Sequence, residues 1–104
     1  MPHAFRIILS PEAASDLQTI HDYIVQDSPQ NAAKLIARIL DEIDTLKAFP
    51  HRTVLPSQSK KLRYPVRTFP VRPYVIYFRV LDEQQAVRIL TVRHGARRRP
   101  KRFD

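Results

Sequence analysis

Tyr74-Val-Ile-Tyr-Phe-Arg-Val-Leu81, Asp82-Glu-Gln-Gln85, Ala86-Val-Arg-Ile-Leu-Thr-Val92 and then His94-Gly-Ala-Arg97 make up the stretch that decides the fold. Both apolar runs are rich in β-branched and aromatic residues, and the polar break between them is short enough to require antiparallel pairing. The stretch therefore predicts a β-hairpin at the centre of a sheet. Side chains alternate along a strand, so Tyr74, Ile76, Phe78 and Val80 share one face while Tyr77 and Arg79 share the other. One face is then core and the other is free to be a working surface.

Working back towards the N-terminus, Ala4-Phe-Arg-Ile-Ile-Leu9 reads as a short strand, and Ser10-Pro11-Glu12 opens a helix. Serine is a good N-cap, proline is preorganised for the first helical position, and Glu12 complements the helix dipole. Ala13, Leu17, Ile20 and Ile24 then recur at spacings of three and four to give one apolar stripe. Ser28-Pro29 repeats the start signal, and Ala32, Ile36, Ile39, Ile43 and Leu46 form a second stripe that ends before Phe49-Pro50. Helices joined this tightly form an antiparallel hairpin. Ala33, Leu35 and Leu40 widen the second stripe, so apolar surface is left over for the sheet, and the expectation is a two-layer α+β domain. Lys34, Arg38 and Glu42 read as a solvated, ion-paired outer face.

Residues 51–61 lose periodicity and gather Pro56, Ser57, Gln58 and Ser59, which describes a surface loop. Leu62 to Phe69 is a weaker strand candidate, and Pro65, Pro70 and Pro73 put it at a sheet edge or make it irregular. The tail, 97–104, crowds Arg97, Arg98, Arg99, Lys101 and Arg102 around Pro100 and reads as an exposed basic segment.

Composition bounds the function. A chain of 104 residues that is 43% apolar fits one domain, 1–104, with a modest core. Its formal charge of +8 favours acidic partners. The lack of cysteine removes disulfides and thiolate metal sites. The N-terminus carries no apolar signal region and no run approaches membrane-spanning length, so the expected location is the cytoplasm. The single glycine, Gly95, excludes glycine-rich phosphate loops. His3, His21, His51 and His94 have no spacing that aligns two on one helix face, so no metal site is expected.

A metal-free ribonuclease needs a base, an acid and cations around the scissile phosphate. Arg63, Arg67, Arg72, Arg79, Arg93 and Arg97 all come from the expected sheet or its ends, so that several of them can converge on one concave face. His94 stands at the end of the last strand, where it is either an exposed strand-end residue or a functional contact. Tyr64, Tyr74 and Tyr77 are proton donors in principle, but a strand tyrosine more often packs its ring.

The order of these elements, with Ala14-x-Asp16-Leu17-x-x-Ile20-x-x-Tyr23-Ile24, Phe49-Pro50, Arg67-x-Phe69-Pro70, Tyr74-x-Ile76-x-Phe78-x-Val80 and His94-Gly-Ala-Arg97, resembles the RelE/ParE toxin superfamily over nearly the whole chain. The resemblance implies a β-α-α-β-β-β fold, a helical hairpin on an antiparallel sheet of three to four strands. It further implies the toxin of a type II toxin-antitoxin, plasmid-stabilisation module, with an acidic cognate antitoxin as partner and no cofactor. Ribosome-dependent messenger-RNA endonucleases of the RelE branch combine sheet cations with a tyrosine or histidine near the C-terminus. This tail has Phe103 there, and a phenyl ring takes no proton, which leaves His94, with Arg97 and Arg67, as the catalytic candidates. His94-Gly-Ala-Arg97 and Phe69-Pro70 look more like the ParE branch, whose studied members poison DNA gyrase. The ParE-like reading is preferred, with the RNA endonuclease as alternative and a non-toxic nucleic-acid-binding module as a third. Arg63, Arg67, Arg79, His94 and Arg97 are the expected target-binding residues. Leu35, Ile36, Ile39, Leu40 and Ile43, on the wide stripe of helix two, are the expected antitoxin-binding residues.

Overall fold

The computed structural model describes residues 4–48, 50–52 and 65–95. Strand β1 (Arg6–Leu9) leads into helix α1 (Pro11–Val25) and helix α2 (Pro29–Asp44), followed by β2 (Val66–Val71), β3 (Tyr74–Leu81) and β4 (Ala86–His94). Both helices start as the serine-proline pairs require. Ser10 Oγ accepts from the Ala13 N–H at 3.0 Å, and Ser28 Oγ from the Asn31 N–H at 3.2 Å. Helix α2 tightens into a 3-10 turn at Thr45–Lys47, and the Lys47 carbonyl accepts from the Phe5 N–H at 2.9 Å, tying the helical hairpin to the root of β1.

The strands lie in the order β1-β4-β3-β2. The β3–β4 hairpin is the centre, as its apolar runs demand, and β2 pairs antiparallel with β3 at the edge, where Pro70 costs no needed donor. β1 joins parallel to β4, so the sheet is mixed: three antiparallel strands plus one parallel edge. The reason is topological. The helical hairpin carries the chain off the sheet after β1, and the two helices occupy the face on which the β2–β4 meander closes back beside it. The hairpin turn is a 3-10 turn at Asp82–Gln84 followed by Gln85 at φ 49°, a left-handed conformation braced by its side-chain amide donating to the Asp82 carbonyl at 2.8 Å.

Helix-side residues form the main core: Leu17, Ile20, Ile39, Ile43 and Leu46 pack on Ile76, Phe78, Val80, Val87, Ile89 and Val92. Val66, Tyr77 and Leu90 cluster on the other face with Val75 beside them. The alternation expected of β3 therefore holds. In β4 it breaks: Tyr77 opposes Thr91 while Phe78 opposes Ile89, so Leu90 is the extra residue of a β-bulge. Among the described residues, no helix is long and apolar enough to cross a membrane.

Candidate functional site

The four strands carry Arg6, Arg67, Arg79, Arg88 and Arg93 and not one Asp or Glu. Register sorts these cations. Arg79 and Arg88 are directly opposed on β3 and β4, next to Val66 on β2 and Ile8 on β1, which puts both on the face away from the helices. Like charges directly opposite on neighbouring strands repel, and here the strands supply no carboxylate to separate them. Both are half-buried. The pair concentrates positive charge on this face, beside the buried Val66, Tyr77 and Leu90.

Other expected site residues lie elsewhere. Arg67 opposes Phe78, so it points to the helix side of edge strand β2, where its Nη1 donates to the His51 carbonyl at 3.3 Å. His94 is exposed at the end of β4, its ring set edge-on to Tyr74 with centroids 5.4 Å apart. Tyr74 opposes His94, and Arg79 stands five residues further along β3, about 17 Å away at the rise of a strand, on the other face. The expected convergence of several sheet arginines on one concave face is corrected for Arg67 and Arg79, which alternation sends to opposite faces, and strand length separates His94 from both. Arg63, Arg97, Tyr64 and the tail with Phe103 lie outside the described residues. Tyr77 is 5% exposed and packs with Val66 and Leu90.

A polar seam at the bulge is what sequence reasoning missed. Ser10 caps α1 and also donates its hydroxyl proton to the Leu90 carbonyl at 2.8 Å, while its N–H donates to the Ile89 carbonyl at 3.0 Å. Beyond this point β1 has ended. Asp16, one and a half turns into α1, takes its place: Oδ2 accepts from the buried Thr91 hydroxyl and from the Val92 N–H at 3.0 Å. Arg93 Nε donates to Thr91 Oγ1 at 3.1 Å, and its Nη2 lies 3.8 Å from Glu12 Oε1. The signal in the sequence is the spacing Val87, Ile89, Val92, which steps by two and then by three. Gly95 closes the seam. Its N–H donates to the Pro73 carbonyl at 2.7 Å, and a Cβ at this position would stand 3.1 Å from that oxygen.

Of the residues expected to bind an antitoxin, Ile39 and Ile43 are 0% and 3% exposed in the core, and Leu35 and Ile36 are half-buried against it. The stripe faces the sheet because the sheet is the larger apolar surface available to it. Leu40, 41% exposed, escapes, and with Leu9, 40% exposed, it flanks a groove of about 650 Å³ between α2 and β1. Phe5, Ile7 and Ile43 form its floor.

A small basic domain, with a helical hairpin on one face of a mixed sheet and the Arg79–Arg88 pair on the other, belongs to the class of two-layer α+β toxins. Residues 7–99 match the family described as the ParE toxin of the type II toxin-antitoxin system parDE, and the chain belongs to that family. It is 33% identical over 92 residues to Toxin RelE2 of Caulobacter vibrioides, covering 88% of this chain and 97% of that one. Among solved structures it is similar to a chain of the chromosomal ParDE system from P. aeruginosa, at 27% identity and TM-score 0.72 over 89% of this chain and 98% of that one. A chain of the RelBE2 toxin-antitoxin complex of Mycobacterium tuberculosis shares the fold at 22% identity and TM-score 0.64, over 93% and 98% of the two chains.

Proposed function

We propose that this toxin acts on DNA gyrase in the ParE manner and is held inactive by a cognate antitoxin. The observation that carries the reading is the separation of His94 from the Arg79–Arg88 pair, about 17 Å along the sheet and across its two faces. General acid-base catalysis needs the proton-transfer group within hydrogen-bond reach of the reacting phosphate, and the Arg79–Arg88 pair and His94 are too far apart to serve the same one. The family match over residues 7–99 supports the same branch. The Caulobacter relative carries the RelE name, and the RelE branch of the resemblance supplies a second reading, RNA cleavage, in which Arg79 and Arg88 would hold the phosphate. Expression of the toxin alone, with messenger-RNA ends mapped on ribosomes and gyrase assayed for trapped cleavage complexes in the same cells, separates the two. Trapped gyrase without codon-phased cuts is the expected result. Cuts that vanish in His94→Ala, with gyrase unaffected, would establish the second reading.

The antitoxin is assigned to the groove between α2 and β1. Among the described residues β1 pairs on one side only, so its outer edge offers backbone donors and acceptors to an added strand, while exposed Leu9 and Leu40 offer apolar contact. The net charge of +8 suits an acidic tail. ParDE and RelBE2 name toxin-antitoxin assemblies of similar chains, which supports such a partner here.

A further inference from the structure

The charge of this molecule is unevenly divided. The chain has 18 Lys and Arg, yet none falls in α1, which carries Glu12, Asp16 and Asp22. Between this acidic helix and the upper ends of β3 and β4 lies a cavity of about 390 Å³, walled by Tyr23, Tyr74 and His94 over a floor of Ile20 and Val92, with Asp16 at its side. Tyr23 is 74% exposed, a large ring that the core does not use. Tyr74 and His94 already meet edge-on, at 78° between planes.

Asp16 spends only one oxygen on the fold. Oδ2 takes the Thr91 and Val92 donors, and among the described residues Oδ1 has no hydrogen-bond partner. Arg93 also borders the cavity, but its guanidinium is engaged by Thr91 and sits beside Glu12. Aromatic faces next to a carboxylate attract cations: the ring quadrupole and the full charge act in the same direction. An anion would meet the Asp16 carboxylate, and an aliphatic side chain would cover it without giving it a donor.

We propose that this cavity receives an arginine side chain presented by a protein partner, its planar guanidinium lying on the exposed Tyr23 ring and its N–H fork donating to Asp16 Oδ1. Arginine suits the flat walls better than lysine, because its delocalised plane stacks and its donors are paired. The acidic helix in an otherwise basic molecule supplies the charge complementarity. The site is distinct from the groove between α2 and β1, and it stands or falls independently of the gyrase reading.

The test is an NMR titration of the full-length, isotopically labelled chain with acetyl-Gly-Arg-Gly-amide, with the citrulline peptide, isosteric but uncharged, as comparison and GMP as the nucleotide comparison. Saturable shifts centred on Tyr23, Tyr74, Val92 and His94 are expected, with the citrulline peptide about tenfold weaker, the size of one cation–π contact plus one charge-assisted bond. Tyr23→Ala, at an exposed position that spares the fold, should weaken arginine binding about fivefold. Asp16→Asn should cut the preference over citrulline from about tenfold to the roughly threefold that the Tyr23 ring supplies; because Asp16 also holds β4, Tyr23→Ala decides the matter if that variant does not fold. Equal binding of the two peptides, no shifts at millimolar peptide, unchanged affinity in Tyr23→Ala, or stronger shifts with GMP at the same residues would each overturn the proposal.

Discussion

Ser10→Ala and Ser28→Ala remove the same hydroxyl from the same kind of helix start, yet they should cost different amounts. Each loses an N-cap bond, from Ala13 in one case and Asn31 in the other, about 1 kcal/mol apiece. Ser10 is 5% exposed and loses its bond to the Leu90 carbonyl as well, which adds about 1 to 2 kcal/mol for a buried acceptor left short of a donor. Ser28→Ala should then lower the melting temperature by about 5 °C, and Ser10→Ala by about 10 to 15 °C, at the shift per kcal/mol usual for a domain of this size. Thermal unfolding of the three purified chains, followed by circular dichroism, checks this. Equal shifts in the two variants would refute the idea that Ser10 fastens α1 to the bulge of β4.

Four further substitutions test the remaining geometry. Arg88→Thr relieves the repulsion with Arg79 and should raise stability by about 0.5 kcal/mol in urea denaturation while reducing toxicity; a loss above about 1 kcal/mol would mean that the pair supports the fold. Gly95→Ala puts a methyl 3.1 Å from the Pro73 carbonyl and should cost about 1 kcal/mol, with faster amide exchange at residue 95 and unchanged protection in β1. Leu40→Asp at the exposed rim of the groove should leave the melting temperature within about 3 °C, yet release the antitoxin during co-purification in about 1 M salt, where screening reaches to about 3 Å and apolar contact must hold the pair. Phe78→Ala, wholly buried under the helices, should cost about 3 to 5 kcal/mol and leave little folded protein at 37 °C.

The fold is legible where local signals agree. Ser10-Pro11 and Ser28-Pro29 start both helices, the run from Tyr74 to Val80 alternates as it folds, and the prolines around Val66–Val71 mark an edge strand. The parallel pairing of β1 is not legible, because four residues of strand say nothing of the direction of a neighbour 80 positions away. The site is harder still. Arg67 and Arg79 look alike in a list of cations, and only the register of β2 on β3 reveals that they occupy opposite faces. Ile39 and Leu40 are adjacent apolar residues of one stripe, and only packing separates the buried one from the exposed one. Asp16 reads as a polar residue off the apolar stripe of α1, because the donors that claim it, Thr91 and Val92, belong to a bulge that appears only when β4 is laid against β3.

Incubating the purified toxin with gyrase, relaxed plasmid and ATP, and then denaturing the mixture with detergent and protease, is the most direct measurement. The account predicts linear plasmid from trapped cleavage complexes, in a yield that falls with Arg79→Ala combined with Arg88→Ala and vanishes when antitoxin is added first. Supercoiling at the normal rate with no linear product, alongside codon-phased cuts in ribosome-bound messenger RNA, would contradict it.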